Sequence, residues 1–158
     1  MYDLIIIGAG PAGMTAAVYA ARKRLKAMLL TLDIGGQVLW TQDVENYMGY
    51  QYITGAELMA KFEAQMRQYP LEIRYEKVER LEKADGLFRV TSDAGKVYTA
   101  QTVILASGKK PRLLEVPGEQ EFVGLGVSYC ATCDGPLFAE KRVAVIGGGN
   151  SAFSAVLE

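Results

Sequence analysis

The chain opens on Asp3-Leu4-Ile5-Ile6-Ile7, a short apolar run rich in β-branched residues and closed by Gly8. Such a run predicts a strand covered on both faces, as in a parallel sheet. Residues 12–24 are alanine-rich, with Gly13 as a breaker near the start, and predict a helix. Its last turn carries Arg22, Lys23 and Arg24, which suit the negative end of the helix dipole. Residues 27–32 form the next predicted strand, so a β-α-β unit begins almost at once. A connection over 33–53 follows, with Gly35-Gly36 and scattered aromatic residues; connections this long in compact domains are often functional. Thr54-Gly55-Ala56-Glu57 has capping-box spacing. It precedes a helix over 58–68, in which Leu58, Met59, Phe62 and Met66 form one apolar face. Residues 71–75 are a further strand. The pattern over 77–99 predicts a three-stranded meander, broken at Ala84-Asp85-Gly86 and Asp93-Ala94-Gly95. A buried strand over 101–106 comes next, then a Gly/Pro/Lys-rich boundary at 107–117. Residues 141–146 read as a last strand, and Gly147-Gly148-Gly149 opens a helix to Glu158.

Composition narrows the function. Of 158 residues, 50% are hydrophobic and 22% charged, an ordinary globular composition that excludes disorder, collagen-like repeats and a coiled coil. The net charge of -1 offers no basic field for nucleic acid. No histidine is present, so Ser-His-Asp hydrolysis and histidine-ligated metals drop out. Residues 4–21 are apolar enough to raise a membrane span. Gly8, Gly10, Pro11 and Gly13 interrupt them where lipid could not satisfy the freed backbone. The start Met1-Tyr2-Asp3 lacks the basic residues of a secretory signal. A soluble, cytoplasmic protein is expected.

Gly8-Ala9-Gly10-Pro11-Ala12-Gly13 matches G-x-G-x-x-G between a predicted strand and a predicted helix, the context a dinucleotide site requires. Gly8 makes the tight turn, Gly10 lets a pyrophosphate approach the backbone, and Gly13 lets helix and strand close up. Free N–H groups at the helix start would hold the phosphates. The acidic residue that usually reads the ribose would fall at Leu30 or Thr31, and Asp33 is the nearest carboxylate. Gly147-Gly148-Gly149-Asn150-Ser151-Ala152 repeats the pattern as G-x-G-x-x-A. Each such turn normally begins its own α/β domain. The second lies close to the end of the sequence, so the chain is expected to stop inside that domain.

Cys130-Ala131-Thr132-Cys133-Asp134 is the sharpest signal. C-x-x-C suggests a redox dithiol or half a metal site. Zinc or an iron–sulfur cluster would need further cysteine or histidine ligands, and the sequence has neither. A purely structural disulfide across so short a loop gains little. Thiol exchange, with one sulfur attacking, the other resolving and Asp134 moving the proton, is the favoured chemistry.

In this order the motifs resemble those of the low-molecular-weight thioredoxin reductases. They run Gly8 to Gly13, Gly35-Gly36-Gln37, Val44-Glu45-Asn46-Tyr47-Met48-Gly49, Ala106-Ser107-Gly108, Cys130 to Gly135, and Gly147 to Ala152. The resemblance implies a Rossmann-like FAD/NAD(P)-binding fold carrying a three-stranded β-meander. It implies an incomplete FAD domain over 1–112 and the truncated start of an NAD(P)H domain over 113–158. It implies that Gly8, Gly10, Pro11, Ala12, Gly13, Gly36, Gln37, Asn46, Ala106, Ser107 and Gly108 line FAD, with Val78 near the adenine. Gly147, Gly149, Asn150, Ser151 and Ala152 would hold NADPH or NADH. Cys133 would pair with the flavin, Cys130 would attack the partner disulfide, and Asp134 would be the acid–base group. The implied enzyme is a homodimeric, FAD-dependent thioredoxin-disulfide reductase serving thioredoxin or a thioredoxin-like protein. Two alternatives stand beside it. Cys133 to Phe138 also resembles the flavoprotein of alkyl hydroperoxide reductase, which serves a peroxiredoxin. Phe153 and Ser154 stand where the family commonly has a small aliphatic residue and a glutamate, which keeps a donor such as ferredoxin in view.

Overall fold

A computed structural model describes residues 1–157; Glu158, the expected end of the last helix, lies outside the described residues. The chain divides into two compact units. The first comprises Met1–Leu39 and Gly55–Lys109, the second Trp40–Thr54 and the chain from Lys110 on.

The first unit is built on a six-stranded sheet in the order β3-β2-β1-β6-β5-β4. Its strands are β1 (Tyr2–Ala9), β2 (Ala27–Ile34), β3 (Glu72–Tyr75), β4 (Val78–Ala84), β5 (Leu87–Ser92) and β6 (Val97–Leu105). The helices are α1 (Pro11–Arg22) and α2 (Gly55–Met66). β3, β2, β1 and β6 run parallel, while β4, β5 and β6 pair antiparallel as the meander. This is the mixed α/β fold the hydrophobic pattern implies. Leu4 to Ile7 are all buried, as the continuous apolar run requires of a central strand. Successive side chains on a strand alternate between faces. Ile5 and Ile7 join Met28, Leu30, Val90 and Ala100 in one cluster, sealed by Val78, Leu81 and Tyr98 of the meander. α1 packs on β1 and β2 and buries Gly13, Met14, Ala17 and Ala20; α2 packs on α1 and buries Leu58, Met59 and Met66. The apolar run over 4–21 is thus a strand, a turn and a helix. No helix among the described residues is long and apolar enough to cross a membrane.

Three expectations change. The meander's third strand and the strand over 101–106 are one element, β6. Its first half pairs with β5 (Phe88 opposite Ala100) and its second with β1 (Tyr2 opposite Ala100, Ile7 opposite Leu105). Ala100, fully buried, is the handover, and the sequence holds no breaker there because the backbone never turns. α1 ends at Arg22, and Arg24 has left the helix with φ 58°. Lys26 N–H then bonds Asp3 Oδ2 at 2.8 Å, seating the chain for β2. Residues 141–146 form no strand. A strand persists only with a ladder partner, and among the described residues none runs beside this segment.

Charge closes the meander end of the unit. Glu76 accepts from Lys96 Nζ at 2.7 Å and from the Tyr98 hydroxyl at 3.0 Å. Lys96 chiefly, with Tyr98, holds the Glu76 carboxyl down to about 2, against an ordinary 4.5. A carboxyl lowered by folding stabilises fully above its unfolded value and loses that effect as pH falls toward the folded one. Stability should therefore decline as pH falls from about 4.5 to about 2, and Glu76→Gln should flatten that part of the profile. The urea midpoint measured against pH checks this; an unchanged slope in the variant refutes it.

Candidate functional site

The first cluster of expected site residues meets at the carboxyl end of β1. Gly8 has φ +101°, and a Cβ there would lie 2.3 Å from the Ala106 carbonyl oxygen. A Cβ on Gly13 would lie 1.8 Å from the Gly8 carbonyl oxygen and 3.5 Å from Ala106 Cβ. Both residues are glycine because β1, α1 and the end of β6 cross too closely for any side chain. Ala106 N–H bonds the Ile7 carbonyl at 2.8 Å and carries the β6–β1 ladder into the turn.

Gly10 differs from both. Its backbone is extended, and the nearest atom to a Cβ there is the Gly35 carbonyl oxygen at 4.0 Å. Nothing in the chain itself requires glycine at this position. Gly36 faces it across the gap, where a Cβ would stand 3.5 Å from Gly10 Cα. Gly10 is also the N-cap of α1. It has no side chain to bond the first-turn N–H groups, Pro11 follows, and no acidic residue occupies that turn. A helix start of this kind presents free donors and positive potential. The space a Gly10 side chain would fill thus fits the pyrophosphate of a dinucleotide, and Pro11 and Ala12 border it. Gln37 follows Gly36 in a 3₁₀ turn over Gly36–Trp40. Ser107 and Gly108 continue, exposed, from Ala106.

Other expected residues lie on other elements of the chain. Val78 begins β4 and packs on the core cluster. Asn46 is exposed in the segment that belongs to the second unit. Asp33 is exposed on β2, and its carbonyl accepts the Thr31 hydroxyl at 2.5 Å. Thr31 itself was not anticipated as a site residue. It is buried where ribose-reading acids usually stand, and its Oγ1 accepts the Ala9 N–H at 3.2 Å. With Gly35 N–H on the Ala9 carbonyl at 2.9 Å, it pins β2 to the irregularity that Gly8 puts into β1. A single threonine within an apolar strand gave no distinguishing signal in the sequence.

The second unit carries the sulfur chemistry. Cys130 and Cys133 are joined as a disulfide with Cα atoms 5.3 Å apart. Cys130 caps α3 (Ala131–Asp134), a single turn that brings residues three apart onto one side. Cys130, Cys133 and Asp134 are all half-buried. Ser128 Oγ donates to Asp134 Oδ2 at 2.5 Å and accepts the Cys130 N–H at 3.0 Å. Upstream, the buried Glu119 carboxylate accepts N–H groups from Leu114 (2.9 Å) and Glu115 (2.7 Å) and the Tyr129 hydroxyl (2.8 Å). The Leu114 amide above all, with Tyr129 and Glu115, holds its carboxyl below the ordinary range. Desolvation, then the Glu119 bond, raises the Tyr129 phenol. Neither Ser128 nor Glu119 was singled out by pattern, since each acts through a bond that only the folded loop makes.

Gly147 begins the second glycine turn. A Cβ on Gly147 would lie 3.7 Å from Ala152 Cβ, while nothing stands within 4 Å of such an atom on Gly148 or Gly149. The Gly149 carbonyl accepts the N–H groups of Ala152 (3.0 Å) and Phe153 (3.2 Å) and starts α4 (Asn150–Leu157). Asn150 and Ser151 therefore occupy the first turn of a helix entered from glycines, without the preceding strand expected of the motif.

The family described as pyridine nucleotide-disulphide oxidoreductase matches residues 2–155. A thioredoxin reductase of Treponema pallidum is 47% identical over 153 residues, 96% of this chain and 50% of that protein. A component of the alkyl hydroperoxide reductase of Pseudomonas putida is 45% identical over 160 residues, 99% of this chain and 31% of that protein. Among solved structures, thioredoxin reductase from Streptococcus pyogenes superposes with a TM-score of 0.90 at 44% identity, over 99% of this chain and 51% of that one. The chain spans about half the length or less of these relatives.

Gly10 and Gly13 should separate on substitution. Gly13→Ala must move α1 off β1 and should cost more than about 4 kcal/mol, visible as a lost or strongly lowered thermal transition. Gly10→Ala should keep the transition and weaken retention of a dinucleotide such as FAD by about tenfold or more. Equal behaviour of the two variants would contradict the division of roles.

Proposed function

Because the chain belongs to the pyridine nucleotide-disulphide oxidoreductase family, we propose that it is the electron-relaying part of a thioredoxin reductase. Electrons would pass from NADPH or NADH through FAD to Cys130 and Cys133, and on to the disulfide of thioredoxin or a thioredoxin-like protein. The observation that carries this reading is the Cys130–Cys133 disulfide on α3, with an acid within bonding reach of the same loop. The same chain holds a glycine turn with room for a dinucleotide at Gly10.

The residues divide the work. Gly8, Gly10, Pro11, Ala12 and Gly13 would hold the FAD pyrophosphate on the first-turn N–H groups of α1, with Gly36, Gln37 and Ala106 to Gly108 completing the site. Gly147, Gly149, Asn150, Ser151 and Ala152 would do the same for the nicotinamide dinucleotide. When bound, the flavin supplies the electron pair that opens the disulfide, drawn as hydride from the nicotinamide. The Cys130 thiolate then attacks one sulfur of the partner disulfide, and the other partner sulfur leaves with a proton from Asp134. Cys133 attacks Cys130 Sγ, restores the Cys130–Cys133 bond and releases the second partner sulfur, which is protonated in turn. The dithiol loses two electrons and the partner disulfide gains them. The same reading takes the enzyme to be a homodimer in a reducing cytoplasm.

A reductase that serves a peroxiredoxin is the second reading. Its support is the Pseudomonas putida relative and the run Cys133 to Phe138. Steady-state rates with thioredoxin disulfide and with an oxidised peroxiredoxin system distinguish the two.

Cys133→Ser should abolish turnover, by about a thousandfold or more, and accumulate a mixed disulfide between Cys130 and the partner, seen by mass spectrometry. Cys130→Ser should abolish turnover without that adduct. Asp134→Asn should slow partner reduction by about a hundredfold and spare flavin bleaching by the nicotinamide. Retained turnover in Cys133→Ser would refute the assignment.

A further inference from the structure

The reading above gives Asp134 a proton to deliver but does not say what aims its carboxyl. We propose that Ser128 is the positioning residue for Asp134, an inference that rests on that reading. Three hydrogen bonds form a closed ring around the redox motif. Cys130 N–H donates to Ser128 Oγ at 3.0 Å, Ser128 O–H donates to Asp134 Oδ2 at 2.5 Å, and Asp134 N–H donates to the Cys130 carbonyl at 3.0 Å. The hydroxyl has one proton to give. The Cys130 carbonyl lies at 3.2 Å, farther than Oδ2, so the proton is committed to Asp134.

Two consequences follow from the geometry. A carboxyl on a short side chain rotates about two bonds, and the Ser128 bond fixes the second rotation by holding Oδ2. Oδ1 is then the oxygen not engaged by Ser128 and the one available to carry the acid proton. Because the same hydroxyl also holds the Cys130 backbone, the acid and the attacking cysteine are aimed from one point. Positioning of this kind contributes through orientation rather than through proton transfer, and Ser128 keeps its own proton throughout. Ser128 is exposed and lies outside the packed sheet of the first unit, so removing its hydroxyl should cost little global stability.

The test uses the flavin-loaded holoenzyme and two readouts, flavin reduction by the nicotinamide and reduction of thioredoxin disulfide. Ser128→Ala should leave the first unchanged and slow the second about tenfold. Ser128→Thr, which keeps the hydroxyl, should restore it to within about twofold. Combined with Asp134→Asn, Ser128→Ala should add no further loss, because both act through one carboxyl. If Ser128→Ala matches the wild type while Asp134→Asn is slow, the Ser128 inference falls and the proposed function stands. If the two losses multiply, Ser128 does not act through Asp134 and the inference falls. If Asp134→Asn is itself unimpaired, the acid–base assignment of the proposed function falls first and takes this inference with it.

Discussion

The close crossing of three backbones at the end of β1 is the constraint on which the first unit depends. The Gly8 carbonyl, the α1 backbone at Gly13 and the Ala106 carbonyl occupy a space with no room for a Cβ. Strand, helix and returning strand are locked at one point, and the first turn of α1 is thereby set at the carboxyl end of the central strand β1. The order of the sheet follows from the same point. β1 is central because it pairs with β2 on one side and β6 on the other, and both neighbours are held at its glycine end, β2 through Thr31 and β6 through Ala106. Gly10 lies in the gap this leaves, where packing does not require a glycine.

The second unit is organised on different physics. The sulfur-bearing loop has few buried apolar groups and is held instead by polar bonds. The Glu119 carboxylate gathers two backbone N–H groups and Tyr129, and Ser128 gathers Cys130 and Asp134. A loop fixed by hydrogen bonds keeps its geometry while a covalent bond inside it opens and closes. A disulfide packed into an apolar core would have to expose or strain its surroundings at every turnover.

Much of this was legible in the sequence, for reasons that differ by element. The run at Leu4 to Ile7, the alanine-rich stretch after Gly13 and the breaks at Asp85-Gly86 and Asp93 to Gly95 state their structure locally. The hydrophobic period and the turn chemistry agree there. The cysteine pair was equally plain, because two cysteines three apart in a histidine-free chain leave few alternatives. The continuity of β6 was hidden because Ala100 serves two partners that lie far away in sequence. The strand expected over 141–146 had the right pattern, but pattern supplies no ladder partner. Thr31, Glu119 and Ser128 were invisible for a related reason, since a common polar residue becomes a site residue only through the bond that folding gives it.

On the proposed function, a bound flavin and the Cys130–Cys133 sulfurs form one electron-transfer unit. Anaerobic reductive titration of the flavin-loaded protein tests this. Two electron pairs should be taken up per flavin, one stored on the ring and one on the sulfurs, with the second pair lost in Cys130→Ala. Uptake of a single pair by the wild-type protein, with the disulfide still closed after the flavin has bleached, would contradict it.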